Sequence, residues 1–529
     1  MCLDENWTLM KDGNPGVPKL IDWLVSLPEG YRIGTDPSLI TYGDWENYSV
    51  NLKRSGKLLL PIKPNFVDIV WEEMGKQKEE LSRVFSYDIE FSGLSWQQKV
   101  KKIREAMTAK KSELLVLSAL DEIAWLFNLR GSDVPHCPVF KAYALVTHQN
   151  IYLFIDVKRL PDVVLDILNV NNSHNGDFVT IYPYDSIESN LGDISKDKSG
   201  IWVNSSTPQS LIMQMPERFI IETNPVTKEK AIKNTTELNC IKNACLREAA
   251  LLCDFFGHLE TIISNKPTTE IDASLSLSAR RSKLENIAMD SFETILSVGS
   301  NCAIIHYRPT HENSKTLNKN EMILCDTGGN YLDGTTDITR TLHFGTPSDF
   351  EKECYTRVLK AHIAVATAKF VKDATGSQID GMARQHLWRV GLDFRHGIGH
   401  GIGMFLNVHE GPQSISSRSI SHNFEIGNVL SNEPGVYLEG RFGIRIESMV
   451  TVVPFSPQHK ISDWEFLQFE TISLVPMHRN LIDRALLTQE EIEWLNDFHL
   501  KCVEKLTPIL QKHNFTDGLR YLKENAVCF

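Results

Sequence analysis

Five residues in the last two-fifths of the chain have the types that suit a pair of divalent cations: Asp326, Asp337, His400, Glu433 and Glu447. Four are carboxylates, which can bridge two ions, and one is an imidazole. Two cations held close together polarise a carbonyl and acidify a water, so the chemistry this set suggests is hydrolysis. The neighbours are CDTGGNYLDGTTDITRT at 325–341, HGIGHGIG at 396–403, VHEGP at 408–412, NEPGVY at 432–437 and GIRIES at 443–448.

These side chains need elements that bring them together. The run 322–325 is apolar and reads as a buried strand that delivers Asp326 at its end. Gly328 and Gly329 turn the chain, and Asp337 comes on the return strand, where period-two geometry sets both acids on one face. Asp333, before Gly334, reads as a turn residue with no ligand role. Glycines 397, 399, 401 and 403 exclude a helix around His396 and His400, leaving a strand or loop with close backbone approach. Pro434 holds Glu433 extended, at the end of a strand through Val429 and Leu430. Glu447 is expected on a single strand over 443–453, with Ile444, Ile446, Val450 and Val452 on one side and Arg445, Glu447 and Met449 on the other. A carboxylate in so apolar a stretch is costly unless paired or metal-bound. Arg445 reads as the group that holds one of these acids in place.

At 529 residues and a net charge of -12, the chain has room for three or four domains and does not suit nucleic acid or an anionic membrane as its main partner. The opening MCLDENWTLMKDG has no basic or apolar leader region, no apolar run approaches a membrane span, and the ten cysteines form no CxxC pair. Free thiols and a cytoplasmic location are expected. The reading is of mixed α/β and α+β domains: a first α/β unit over 1–86, a second α/β domain over 87–235 and a catalytic domain over 236–529. Helices are expected at 96–110, 121–128, 238–259, about 349–371, about 378–390 and from 488. Strands are expected at 58–62, 114–117, 140–145 and 151–155, with a polar separator at 224–237. Trp7, Trp23, Trp45 and Trp71 read as packing residues, and Lys99, Lys101 and Lys102 as a solvated helix face.

The motifs resemble those of the pita-bread-fold metallopeptidases, which include methionine aminopeptidases, prolidases and aminopeptidases P. The match is strongest to the cytosolic aminopeptidases P. NWTLMK near the start, LDEIAWLFNLRGSDV at 120–134, DGTTDITRTLHFGTP at 333–347, GHGIGMFLNVHEGP at 399–412 and GIRIE at 443–447 carry it. The resemblance implies a creatinase-like second domain and a catalytic domain built on a curved antiparallel sheet. It implies two divalent ions, manganese with zinc or cobalt as alternatives, bridged by Asp337 and Glu447, with Asp326 on one ion and His400 and Glu433 on the other. His306, His396 and His409 match histidines that touch substrate or transition state, and Arg445 joins them in binding substrate. The implied reaction is removal of the first residue from peptides with proline second, by attack of a metal-activated water with Glu433 carrying the proton, in a homodimer.

Set beside those relatives, the chain begins just upstream of NWTLMK. A preceding stretch with an Asp-Gly-Arg-Tyr segment has no counterpart, so the first domain is expected to be incomplete. A prolidase-like dipeptidase and an impaired short form acting as a dimerisation or peptide-binding partner are the competing readings.

Overall fold

The computed structural model describes residues 4–77, 79–170, 177–419, 422–459 and 462–529. Two compact units account for them.

The first unit comprises Met1–Val84, Gln97–Phe127 and Lys141–Pro225. Its main sheet runs in the order Phe219–Ile221, Ile201–Val203, Leu114–Leu117, Tyr143–Thr147, Ile151–Phe154 and Val179–Tyr182. Leu114–Leu117 is buried throughout because it has neighbours on both edges, parallel to one and antiparallel to the other. The hairpin expected around 147–150 is present, closed by Thr147, whose hydroxyl accepts the Asn150 N–H at 2.8 Å. Its first strand lies later than 140–145, because Phe140 belongs to the other unit. The strand Leu58–Pro61 pairs only with Arg32–Thr35, so Pro61 lies at an edge as its missing N–H requires.

Two expectations fail here. Trp7, Trp23 and Trp71 are 69%, 46% and 53% exposed, because a two-stranded sheet offers little surface to pack on and the helix Phe66–Glu73 buries no residue. Lys99 is buried, donating to Trp125 O at 2.9 Å with its ammonium over the Trp125 ring, whereas Lys101 and Lys102 are exposed.

The second unit comprises Phe85–Trp96, Asn128–Phe140 and Val226–Phe529. The apolar period from Ile241 to Leu259 lies within one 31-residue helix, Thr235–Asn265, opened by a capping box between Asn234 and Glu237. The polar run 224–237 is therefore no plain separator. It holds the helix Pro225–Ala231 and that cap, and its Lys230 and Lys233 are buried in ion pairs with Glu410. A three-stranded antiparallel sheet carries Ile295–Val298, Ile323–Thr327 and Ile338–Leu342. A six-stranded antiparallel sheet runs Lys369–Val371, Phe466–Thr471, Ser448–Phe455, Val429–Asn432, Gly399–Gly401 and Glu410–Ile415. Helices Asp349–Ala366 and Gly376–Trp388 pack on this unit's core, and Gln489–Lys512 starts at the expected Thr488 cap. Among the described residues no helix is long and apolar enough to cross a membrane. No disulfide links two of the described cysteines; Cys2 lies outside the described residues.

The strand expected over 443–453 is broken. Phe442–Arg445 pairs with Gly435–Leu438, and Ser448–Phe455 pairs with Val429–Asn432. Between them Glu447 N–H donates to Thr339 O at 3.0 Å, so the chain leaves one ladder and joins another at the acid itself. The two-sided burial survives: Ile444, Ile446, Val450 and Val452 enter the large core, and Met449 a separate cluster.

Candidate metal centre

Asp326 lies within Ile323–Thr327, opposite Thr339 in the register. Asp337 precedes Ile338–Leu342, two residues before Thr339, so the two acids share a face. His400 sits mid-strand in Gly399–Gly401. A Cβ at Gly399 would run into Ser431 O and one at Gly401 into Glu410 O, so the glycines let this strand press between its neighbours. Glu433 comes directly after Val429–Asn432 and is anchored by its N–H donating to Ile398 O at 2.7 Å.

The structure brings all five residues together. Asp326, Asp337 and Glu447 each present an oxygen within 4.8 Å of the others, as do the donor atoms of His400, Glu433 and Glu447. Glu447 belongs to both groups, and Asp337 also groups with His400 and His409. The five fit a cation pair on three counts. His400 Nδ1 donates to Gly401 O at 2.9 Å, which turns Nε2 toward Asp337 Oδ2 at 3.4 Å and Glu433 Oε1 at 3.3 Å. Two carboxylates so close to one ring nitrogen need positive charge among them. Asp326 Oδ1 is buried and has no hydrogen-bond partner among the described residues. Burial, then mutual repulsion among the acids, holds the Asp337 and Glu447 carboxyls well above the usual range; burial raises Glu433 too.

Two hydroxyls set these acids and a third sets Arg445 and His396, and sequence reasoning missed them. Thr339 donates to Glu447 Oε2 at 2.7 Å, and Ser431 to Glu433 Oε1 at 3.1 Å while accepting the His400 N–H. Each lies two residues from an acid on the same strand direction, and that spacing was the available signal. The third is Tyr437. Arg445 donates to Asp326 Oδ2 at 2.5 Å, to Thr339 Oγ1 at 3.1 Å and to the Tyr437 oxygen at 2.9 Å. Tyr437 O–H donates to His396 Nε2 at 2.9 Å, and His396 Nδ1 donates to Gly397 O at 2.7 Å. Burial and the nearby Arg445 push His396 down to about 4, so it is neutral at neutral pH.

His306 and His409, with His396 and Arg445, line the same cleft as Asp326, Asp337, His400 and Glu433, a cavity of about 530 Å³. His409 stands edge-on to His400, ring centres 4.3 Å apart. Asp333 stays out of the cluster and pairs with Arg247 at 2.7 and 3.0 Å. Cys325 is buried in the sheet and its thiol is pushed up by that burial.

Residues 239–454 match metallopeptidase family M24, 465–527 the C-terminal region of peptidase M24, and 75–237 the creatinase/prolidase N-terminal domain. The chain belongs to metallopeptidase family M24. It is 43% identical to a probable Xaa-Pro aminopeptidase P of Coccidioides posadasii, over 95% of this chain and 78% of that protein. It is 40% identical to one from Laccaria bicolor, over 99% of this chain and 82% of the relative. An X-prolyl aminopeptidase from Caenorhabditis elegans, described as a cytosolic enzyme with a di-nuclear active site, superposes with a TM-score of 0.94. It is 35% identical and covers 100% of this chain and 86% of its own. The expected creatinase-like and pita-bread architecture is thereby met.

Proposed function

We propose that the chain is a metal-dependent aminopeptidase that removes the first residue from peptides with proline in second place. The observation that carries this is the convergence of Asp326, Asp337, His400, Glu433 and Glu447 at a cleft floor, in a chain 43% identical to a probable Xaa-Pro aminopeptidase P. We assign these five as ligands of two divalent ions. Asp337, His400 and Glu447 each fall in more than one ligand group, and with Asp326 and Glu433 they would hold the pair. The carboxylate-rich set suits manganese, with zinc or cobalt as alternatives. When bound, such ions polarise the scissile carbonyl and bring a water's acidity near neutral pH.

The chain's own groups do the rest. Glu433, steadied by Ser431, takes the proton of the attacking water and passes it on. A proline nitrogen in a peptide bond carries no hydrogen, so it must be protonated as it leaves. His306 and His409, on the cleft wall, are the groups that meet it and the tetrahedral oxygen. His396, held neutral and oriented by Tyr437, contacts substrate; Arg445 shares that wall and offsets the Asp326 charge. His409→Ala is expected to lower turnover about 10²–10³-fold with metal retained; loss of metal instead would move His409 into the ligand set.

We keep three domains, 1–86, 87–235 and 236–529, a reading supported near its second boundary by the family matches 75–237 and 239–454. We also read the protein as a cytoplasmic homodimer. The first part is supported by the description of the worm enzyme as cytosolic; the second rests on the resemblance alone.

The manganese-loaded chain is offered Arg-Pro-Pro, Arg-Ala-Pro and Arg-Pro, and free arginine is measured. Release from Arg-Pro-Pro alone is expected. Release from Arg-Pro alone would make it a dipeptidase, and no release with metal bound would leave the peptide-binding reading.

A further inference from the structure

The cleft has an order of depth. Asp337 and Asp326 on its floor are 4% and 8% exposed. His396, His400 and Glu433 are half-buried, and His306 and His409 are exposed. The lining also includes Glu293 and Arg308, whose side chains are 54% and 74% exposed and pair at 3.3 Å. Arg308 stands two residues after His306. Between them Tyr307 is buried, its hydroxyl donating to Glu270 Oε2 at 2.7 Å. That anchor fixes the loop, so His306 and Arg308 reach the cleft on either side of it.

An enzyme that removes a first residue seats it at the reacting, enclosed end, and the rest of the peptide leaves through the open end. Charges at the mouth therefore meet the part of the peptide beyond the proline. A pair this exposed is worth little, so a charged substrate group can replace either partner. In a tripeptide the residue after proline carries the terminal carboxylate, which a guanidinium accepts through paired N–H donors.

We infer that Arg308 and Glu293 form a charge filter at the cleft mouth, with Arg308 binding the carboxylate of the residue after proline and Glu293 competing for Arg308. The inference rests on the aminopeptidase reading for the direction in which substrate lies. It makes both residues specificity determinants that leave the chemical step alone.

The test compares Arg-Pro-Pro with its C-terminal amide on the manganese-loaded chain, as wild type, Arg308→Gln and Glu293→Gln. KM and kcat are measured for cleavage. The dissociation constant is measured for a reduced-bond analogue pair, acid and amide, in which CH2 replaces the first carbonyl. Expected is an acid-over-amide preference of about threefold in wild type, carried by KM. It falls to parity in Arg308→Gln, rises in Glu293→Gln and shrinks at high salt, with kcat unchanged. Equal preference in all three proteins, or a shift in the same direction in both variants, overturns the filter. If wild type cleaves neither peptide, the aminopeptidase reading falls, and the analogue pair still decides whether the mouth sorts charge.

Discussion

Two clusters of buried acids in the catalytic unit are built on opposite terms. In one, Glu248 is met by Arg281 through Nε and Nη2 at 2.8–3.2 Å and by the Tyr331 hydroxyl at 2.5 Å. The same guanidinium holds Asp290 and Thr327, both at 2.6 Å. In the other, Asp326, Asp337, Glu433 and Glu447 share one guanidinium, Arg445, which bonds only to Asp326 among them. The first cluster, whose one guanidinium bonds both its acids, is one charge short of balance and serves the fold. The second, four acids on one guanidinium that bonds only one of them, is three charges short, and the positive charge it needs must come from outside the chain. Charge balance, more than burial, separates an acid network that holds structure from one built to hold ions.

The largest effect is expected from removing an acid on the unbalanced side. Asp337→Ala is expected to lose bound metal and at least about 10³-fold in turnover while the chain stays folded. Full metal occupancy by elemental analysis would remove Asp337 from the ligand set. In the Arg281 cluster, Arg281→Met strands Glu248 and should cost about 3–5 kcal/mol in denaturant unfolding, with metal content per folded chain unchanged. A metal loss matching that of Asp337→Ala would erase the distinction between the clusters.

Buried histidines sharpen the contrast from the neutral side. His362 has neither ring nitrogen bonded among the described residues, and burial, then Arg340, push it down to about 3; burial puts His478 and His499 near 4. The unfolded chain takes up these protons below its ordinary histidine value of 6.5 while the folded chain refuses them down to 3–4. Their neutral burial therefore costs nothing above pH 6.5, and stability falls as pH drops from there toward the folded values. At pH 5 the loss is about 2 kcal/mol for His362. His362→Phe should flatten the slope of unfolding free energy between pH 7 and 5; an unchanged slope contradicts its neutral burial. The smallest effect is reserved for Tyr437→Phe. Losing the hydroxyl between Arg445 and His396 should cost about 1 kcal/mol, read as a roughly fivefold fall in kcat at full metal occupancy. A pure stability change with kcat intact would make Tyr437 structural only.

The acids of the centre were legible because strand spacing and glycine placement are local signals. Asp326 and Asp337 share a face by period two, and the glycines flanking His400 announce close backbone approach. The illegible parts depend on partners far along the chain. The break at Ile446 and Glu447 exists because Glu447 N–H finds Thr339 O. Tyr437 matters only because its ladder sets it beside Arg445 and His396. Lys230 and Lys233 read as linker polarity because Glu410, their partner, lies 180 and 177 positions on. Lys99 read as solvated because Trp125 comes from a different helix. Local pattern cannot report such pairings.

The central claim is that the unbalanced acid cluster holds two cations. The direct measurement is calorimetric titration of the metal-free chain with manganese, its folding checked by circular dichroism. Two ions bound per chain, with neither saturating in Asp337→Ala, is the predicted result. A folded chain that binds no manganese, zinc or cobalt would contradict the account.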